Sequence, residues 1–203
     1  MTSDPSSSVL TLDAAAQDLL FREARSANTF TDEPVTDERL RAIYELFKWA
    51  PTSANIQPLR LLVVRTPEAK ERLLPHIYEM NRPKSMAAPA VVVLAADMEF
   101  HENIPRLLPF RPQMKDMFAD PAVREPVGRF NASLQAAYFI LAVRAAGLAA
   151  GPMAGFDAAG VDAEFFAGTP LRSILVVNIG KPGEQAWFDR LPRLEYDEVV
   201  TVA

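Results

Sequence analysis

Four polar side chains lie close together in the segment 51–58, between two prolines. They are Thr52, Ser53, Asn55 and Gln57. Their hydroxyl and amide groups offer both donors and acceptors, so this segment, the polar shelf, could hold a ligand whose edge alternates the two. Pro51 and Pro58 stiffen its ends. Taken alone, the same pattern is typical of an ordinary polar turn.

Two clusters of basic residues lie at opposite ends of the chain. Arg25 and Ser26 are followed closely by Asn28, and Arg190 and Arg193 lie near the carboxyl end. Arginine binds phosphate through a bidentate fork and serine adds a hydroxyl donor, so the two clusters could converge on one phosphate. The alternative is that each arginine is a solvated surface group.

Two further pairs carry amide or amino groups. Asn81 and Lys84 precede a predicted strand, and the lysine could neutralise negative charge that develops on a ligand. The alternative for this pair is a solvated loop. Asn131 and Gln135 lie one turn apart on an otherwise apolar helix. Buried amides need partners, so both either form hydrogen bonds between elements or contact a ligand.

The remaining groups offer little chemistry of their own. The segment 151–155 predicts a tight apolar loop whose glycines let backbone N–H groups approach a flat ligand, although a simple turn is the alternative. His76 and His101 are expected to be surface groups, since neither has metal spacing and no nucleophile elbow is present. The chain has no cysteine. A flat, phosphorylated cofactor that performs the reaction itself fits this set, and FMN matches that description.

Composition excludes several classes of function. The chain has 203 residues and a formal net charge of −5 without a lysine or arginine block, so nucleic-acid binding is not expected. Residues 1–5 lack the basic start of a secretion signal, and the most apolar window, 136–143, is too short to cross a bilayer. We therefore expect a single cytoplasmic domain over residues 1–203, with no membrane partner.

Alternating helix and strand patterns predict a layered sheet with helices on both sides. Strands are predicted at 59–65, 91–94 and 173–179, and helices at 13–25, 37–50, 67–77, 125–146 and 158–166. The proline-rich stretch of about 100–124 predicts a lid of short helices inserted into the fold. On the long helix, Phe130, Leu134 and Tyr138 form the main apolar stripe, and Phe139 and Val143 lie on a second face. A helix that is apolar on two sides packs against other elements or another subunit.

Several motifs together identify a resemblance. They are residues 24–30, 48–55, 135–138, 151–157, 165–168 and 190–194. Through them the chain resembles the FMN-dependent nitroreductase family over nearly its whole length, and within it the malonic semialdehyde reductases of pyrimidine catabolism. The resemblance implies an α+β fold, a three-layer sandwich with a central mixed sheet flanked by helices, in an intertwined homodimer with FMN at the interface.

The resemblance also implies roles for individual residues. Arg25, Ser26 and Arg190 would hold the phosphate, and a backbone N–H near Ala154 would face flavin N5. Lys84 would act electrostatically in catalysis, and the shelf would contact the partner's flavin. The implied cofactor-binding set is Arg25, Ser26, Asn28, Pro51, Thr52, Ser53, Asn55, Asn81, Lys84, Asn131, Pro152, Met153, Ala154, Gly155 and Arg190.

Three positions depart from the family pattern. Asn28 stands where many relatives have a second arginine, so the phosphate site has one positive charge fewer. Ala154 replaces an acidic residue of some relatives but keeps its N–H. Leu59 stands where an aromatic residue commonly follows the Gln-Pro pair. These departures favour the semialdehyde-reductase subgroup.

The implied activity is hydride transfer from NADPH or NADH through flavin N5 to a small carbonyl substrate such as malonic semialdehyde, giving 3-hydroxypropionate. A nitroaromatic or quinone reductase is one alternative, and a non-catalytic FMN carrier or sensor is another. A hydrolase that uses His76 or His101 is disfavoured. Within the lid, Arg106 and Arg111 could recognise a substrate carboxylate.

Overall fold

A four-stranded antiparallel sheet forms the centre of the protein, seen here in a computed structural model that describes residues 9–203. The strand order is β1-β2-β4-β3. The strands are β1 (Leu59–Val64), β2 (Ala90–Asp97), β3 (Ala149–Met153) and β4 (Leu171–Gly180). All eight residues of β2 are buried, as its apolar sequence predicts, so helices must cover both faces of the sheet.

Helices surround this sheet on two sides. The α-helices are α1 (Ala14–Gln17), α2 (Asp37–Phe47), α3 (Pro67–Leu73), α4 (Arg82–Ala87), α5 (Ile104–Leu107), α6 (Pro121–Ala145), α7 (Ala158–Phe165) and α8 (Tyr196–Val199). Thr36 caps α2, because its side chain accepts a hydrogen bond from the N–H of Arg39.

Alternate residues of β2 define the three layers. Val92 and Leu94 belong to the core cluster that contains residues of α2 and α6. Val91 and Val93 belong to the cluster that contains residues of α3 and α7. Successive strand side chains point to opposite faces, so one central strand contributes to both cores. The predicted three-layer sandwich is confirmed.

The expected mixed sheet is wrong, because every ladder in residues 9–203 is antiparallel. Helix–strand alternation indicates that helices cover the sheet, but it does not determine strand direction. Between β1 and β2 the chain forms both α3 and α4, and it returns to the end of the sheet where β1 finished, since Val64 pairs with Val91. β2 therefore runs opposite to β1.

The long helix α6 begins four residues earlier than predicted, and its two apolar faces have different environments. Phe139 and Val143 are fully buried in the core, whereas Phe130 is 63% exposed and Tyr138 is 42% exposed. The predicted main apolar stripe is thus the exposed one, and the second face is the one that packs in the core. At the helix end Gly147 adopts φ +71°, the left-handed conformation expected of a glycine C-cap.

Three local predictions are corrected. The segment 151–155 is not a loop throughout, because residues up to Met153 form the edge strand β3. Proline has no N–H to donate, and an edge strand tolerates Pro152 for that reason. The first helix continues from α1 as a π-helical segment, Asp18–Arg22, and ends before Arg25. His101 is only 7% exposed and packs beside Phe100, so it is not a surface group.

The stretch 100–118 forms short helical segments, as the lack of a clean period predicts. A 3₁₀ segment, Phe100–Asn103, leads into α5, and a second, Pro112–Phe118, follows. Within residues 9–203 no helix is long and apolar enough to span a membrane, and no acidic, histidine or cysteine group suits a metal ion. Residues 1–5, considered above for a signal, lie outside the described residues.

Candidate functional site

The two arginine clusters from opposite ends of the chain line one cavity of about 260 Å³. Its wall includes Arg25, Ser26 and Asn28 from the amino-terminal side and Arg190 and Arg193 from the carboxyl-terminal side. The predicted convergence is therefore present in the folded chain. The guanidinium of Arg190 donates to the carbonyl of Arg22, so the two segments are joined directly.

The edge strand β3 positions this cavity. The N–H of Ala27 donates to the carbonyl of Ala150 at 3.1 Å, and the N–H of Asn28 donates to the carbonyl of Ala186 at 3.0 Å. A Cβ at Gly151 would lie 2.7 Å from the carbonyl oxygen of Ala27, so only glycine permits this approach. Arg25 and Ser26 are consequently held in an irregular segment beside β3, rather than on a helix.

A second group of predicted residues meets at the far end of β3. The side-chain amide of Asn81 donates to the carbonyl of Gly155 at 3.4 Å, and the N–H of Tyr78 donates to the same carbonyl at 3.1 Å. A Cβ at Gly155 would lie 2.7 Å from the Asn81 amide nitrogen. Ala154 is exposed, and its N–H forms no backbone hydrogen bond within residues 9–203. It is therefore available to a ligand.

Lys84 lies one turn after Asn81 on α4. Burial lowers the pKa of its amino group below the usual lysine value. No carboxylate in residues 9–203 pairs with this half-buried amino group. An ammonium group without a protein partner is suited to interact with an electron-rich ligand edge.

The polar shelf contains three strained residues, of which two are adjacent and the third follows two residues later. Ala54, Asn55 and Gln57 have φ values of 51°, 54° and 41°, the left-handed region that non-glycine residues rarely adopt. The hydroxyl of Thr52 accepts from the N–H of Gln57 at 3.3 Å, which closes the turn. Such strain persists only where the surroundings hold it in place, and it is common at ligand sites.

Two buried amides of α6 hold the shelf. The side-chain oxygen of Asn131 accepts from the N–H of Ser53 at 2.8 Å, and its nitrogen donates to the carbonyl of Val127 at 2.9 Å. The side-chain oxygen of Gln135 accepts from the N–H of Leu59 at 2.9 Å. Of the two alternatives left open by the sequence, the hydrogen bond to protein is the one observed. A cofactor contact of Asn131 stays a prediction.

Within one protomer, the shelf and the Asn81 group lie at opposite edges of the sheet. The shelf leads into β1, whereas Gly155 follows β3, and β2 and β4 separate these strands. The distance from β1 to β3 across the sheet is three strand spacings, or about 14 Å. The resemblance places the shelf against the partner's cofactor, and this separation is consistent with that arrangement.

The lid is attached to the shelf. The side-chain amide of Asn55 donates to the carbonyl of Leu107 at 2.9 Å. Together they border a cavity of about 450 Å³ that Arg106 lines and Arg111 does not. Of the two arginines considered for a substrate carboxylate, only Arg106 is at this cavity.

The Nitroreductase family matches residues 21–181 of the chain. The chain belongs to this family. A protein of Streptomyces griseus named "Putative NADH dehydrogenase/NAD(P)H nitroreductase" is 62% identical over 195 residues, covering 95% of this chain and 98% of that protein. A protein of the same name from Leptothrix cholodnii is 48% identical over 192 residues, covering 94% and 98%.

Two crystal structures show that the nitroreductase fold is shared. The Bacillus subtilis protein ydfN superposes with a TM-score of 0.82 at 24% identity, covering 94% of this chain and 100% of that chain. A protein of Exiguobacterium sibiricum assigned as a nitroreductase, solved in complex with FMN, also has a TM-score of 0.82, at 18% identity, covering 95% and 98%.

The sequence interpretation missed some residues at these sites. Lys48 and Arg60 line the cavity beneath the lid. They gave no signal, because their positions in a helix and a strand resemble those of ordinary surface charges.

Asn131 is expected to hold the shelf through its acceptor oxygen. Replacing Asn131 with leucine removes that oxygen and leaves the N–H of Ser53 unpaired, which should lower the free energy of unfolding by about 1–3 kcal/mol. Amide hydrogen exchange at Ser53 should become faster. Asn131→Asp keeps the acceptor and is the control; equal exchange rates at Ser53 in both variants would contradict this role.

Lys84 is expected to reduce stability while no ligand is bound. The pKa of Lys84 is lower in the folded state than in the unfolded state, so keeping this group charged lowers the free energy of unfolding. This loss of stability is fully present below the folded pKa and fades as pH rises towards the pKa of the unfolded chain. Lys84→Met should therefore increase resistance of the ligand-free protein to urea at neutral pH, and the gain should shrink with rising pH.

Lys70 supplies a contrast for this measurement. Burial lowers its pKa too, but its amino group donates to the carbonyls of Met86 and Ala88. Lys70→Met should lower stability because both bonds are lost. A loss of stability in Lys84→Met as large as that in Lys70→Met would show that Lys84 has a structural role instead.

Proposed function

We propose that this nitroreductase-family protein is an FMN-dependent NAD(P)H oxidoreductase. The observation that carries the proposal is the cavity in which Arg25, Ser26 and Arg190 converge at one end of β3. The other end of β3 leads to Ala154 and to Gly155, whose carbonyl the amide of Asn81 contacts. An extended strand advances about 3.3 Å per residue, so the arginine cavity and the Ala154 group are separated by the length of the few residues of β3. This arrangement suits an elongated cofactor with a phosphate at one end and a ring at the other.

The donors present fit FMN. Arg25 and Arg190 supply guanidinium groups and Ser26 a hydroxyl, the groups that bind phosphate best. A buried nitrogen of Arg25, Nε, has no hydrogen-bond partner in the described residues, as expected for a group whose acceptor is a ligand. The N–H of Ala154 and the amide of Asn81 would contact the ring.

Bound FMN supplies the hydride-transfer chemistry, and the chain supplies binding, orientation and charge. The ammonium group of Lys84 would lie beside the ring edge on which electron density accumulates. Partial burial strengthens that interaction, because fewer water molecules screen it. Pro152 and Met153 would provide the apolar surface along the ring.

We infer a homodimer as the working state. The stripe of Phe130, Leu134 and Tyr138 is exposed on α6, and the opposite face of that helix is in the core. A large exposed apolar stripe is typical of a protein interface. A second copy packed there could bring its Thr52, Ser53 and Asn55 towards the flavin, which is the arrangement the resemblance implies.

For the substrate we propose a small carbonyl compound such as malonic semialdehyde, reduced to 3-hydroxypropionate. The departures at Asn28, Ala154 and Leu59 support this choice over a nitroaromatic or quinone. The names of the Streptomyces and Leptothrix relatives favour the nitroreductase alternative. A cytoplasmic location, where NADPH and NADH are supplied, stays a prediction, as does the single-domain boundary of 1–203.

The test of function is a flavin titration of the purified protein and its Arg25→Gln variant. FMN should bind the variant about tenfold to hundredfold more weakly, because a charge-assisted hydrogen bond to phosphate is lost. Riboflavin lacks the phosphate, so its affinity should be equal for both proteins. Arg172, whose guanidinium donates to the carbonyls of Thr169 and Leu171, provides the control Arg172→Gln.

NADPH is then added to the FMN-loaded protein without oxygen. Loss of the flavin absorbance within seconds supports the oxidoreductase. A stable oxidised spectrum would support the FMN carrier or sensor, and failure of the protein to bind FMN at all would reject both.

The dimer is tested at its proposed interface. Tyr138→Lys places a charge on the exposed stripe, so it should raise the dimer dissociation constant at least tenfold in sedimentation equilibrium. Tyr196, 68% exposed on α8, provides the control Tyr196→Lys. A wild-type protein that stays monomeric at high concentration would contradict the interface.

A further inference from the structure

The cavity beneath the lid has an unusual distribution of charge. Three cationic side chains line it, from Lys48, Arg60 and Arg106, and no aspartate or glutamate is among its lining residues. The whole chain carries a formal net charge of −5, so the charge at this cavity is opposite in sign to that of the chain. We call this space of about 450 Å³ the lid cavity.

Two of the three cations already have carboxylate partners outside the lining. Arg60 forms an ion pair with Asp97 at 2.7 Å, and Lys48 forms one with Glu45. Arg106 has none within residues 9–203, and its guanidinium donates only to the amide oxygen of Asn103 at 3.1 Å. Arg106 is therefore the cation with capacity for a bound anion.

Gln135 provides a second, independent indication of a ligand. It is 4% exposed and lines the lid cavity, and its oxygen is used by the N–H of Leu59. Its amide nitrogen donates to none of the described acceptors. An amide nitrogen at the wall of a cavity, with its oxygen fixed by the protein, is positioned to donate to the oxygen of a ligand there.

We propose that the lid cavity binds the carboxylate of a short oxo acid, with Arg106 as the anchoring cation and the amide of Gln135 as a second donor. This inference rests on the proposed function, since it names the substrate class of the same site. An arginine fork matches the two oxygens of a carboxylate, which an uncharged aldehyde cannot provide.

The shelf connects the lid cavity with the proposed flavin site. Asn55, whose amide donates to the carbonyl of Leu107, links the shelf to the residue that follows Arg106. The shelf is also the segment proposed to reach the partner's flavin. An oxo acid held by Arg106 would thus lie beside the segment that contacts the flavin ring. The carboxylate of the acid would be bound at Arg106, away from the carbonyl group that is reduced.

Arg106→Gln and Arg111→Gln form a matched pair for the test. Both arginines lie in the lid, but only Arg106 lines the cavity. Steady-state kinetics on the FMN-loaded protein would compare 3-oxopropanoate with propanal, which has the same chain length and no carboxylate. For Arg106→Gln the ratio of the two KM values should shift about tenfold to hundredfold against the acid, with kcat changing less. Arg111→Gln should keep the wild-type ratio.

Calorimetric titration with malonate, a dicarboxylate that cannot be reduced, gives a readout that does not depend on turnover. Arg106→Gln should weaken malonate binding by a similar factor. Gln135→Glu keeps an acceptor for Leu59 and places a negative charge in the cavity, so it should abolish malonate binding.

The outcomes separate the two proposals. Reduction of neither aldehyde, together with Arg106-dependent malonate binding, would reject the proposed reductase activity and leave the anion site intact. Reduction of both aldehydes with an unchanged KM ratio in Arg106→Gln would overturn the anion site alone. An increase confined to the KM for NADPH would also overturn it, since the cavity would then bind the phosphate of that cofactor.

Discussion

Two hydrogen bonds from the core of the protein hold its most strained segment. The side chains of Asn131 and Gln135, both on α6, accept from the backbone N–H groups of Ser53 and Leu59. Between these two points the backbone adopts left-handed conformations that cost free energy at non-glycine residues. A single rigid helix can keep such a segment in place because its amides are buried and have no competing water. The shelf depends on α6 for its shape.

The other edge of the sheet depends on close backbone approach. At Gly151 the absence of a side chain allows the carbonyl of Ala27 to lie against β3, and this contact places Arg25 and Ser26 beside Arg190. At Gly155 the same property admits the amide of Asn81. Glycine therefore contributes to both ends of the proposed flavin site by the space it leaves, although it carries no chemistry itself.

The sequence predicted the layers and most of the residues that meet at the sites, because these follow from local patterns. The apolar run of β2 and the irregular lid are examples. Strand direction could not be predicted in this way, because it depends on the end of the sheet to which the chain returns after the intervening helices. The sequence predicted two apolar faces on α6 but not which of them faces the core, because the aromatic residues of the exposed stripe outweigh the alanines that face the core. Small residues pack well against a sheet but contribute little to a hydropathy pattern.

The burial of His101 and the lining by Lys48 and Arg60 also escaped prediction, for a different reason. Each depends on contacts between segments distant in sequence, such as His101 with Arg124 across 23 residues. Isolated charged or aromatic residues carry no periodic signal, so their environment becomes visible only when the chain is folded. The amides of α6 were recognised as unusual, yet the choice between protein and ligand partners required the positions of Ser53 and Leu59.

The family match ends at residue 181, whereas Arg190 and Arg193 lie beyond it. Two of the three arginines in the wall of the cavity that they share with Arg25 therefore come from the tail that follows the matched residues, and the contact of Arg190 with Arg22 joins that tail to the end of the first helix. Substitutions in this tail would change how strongly the cavity retains an anion, while the strands of the sheet keep their own contacts.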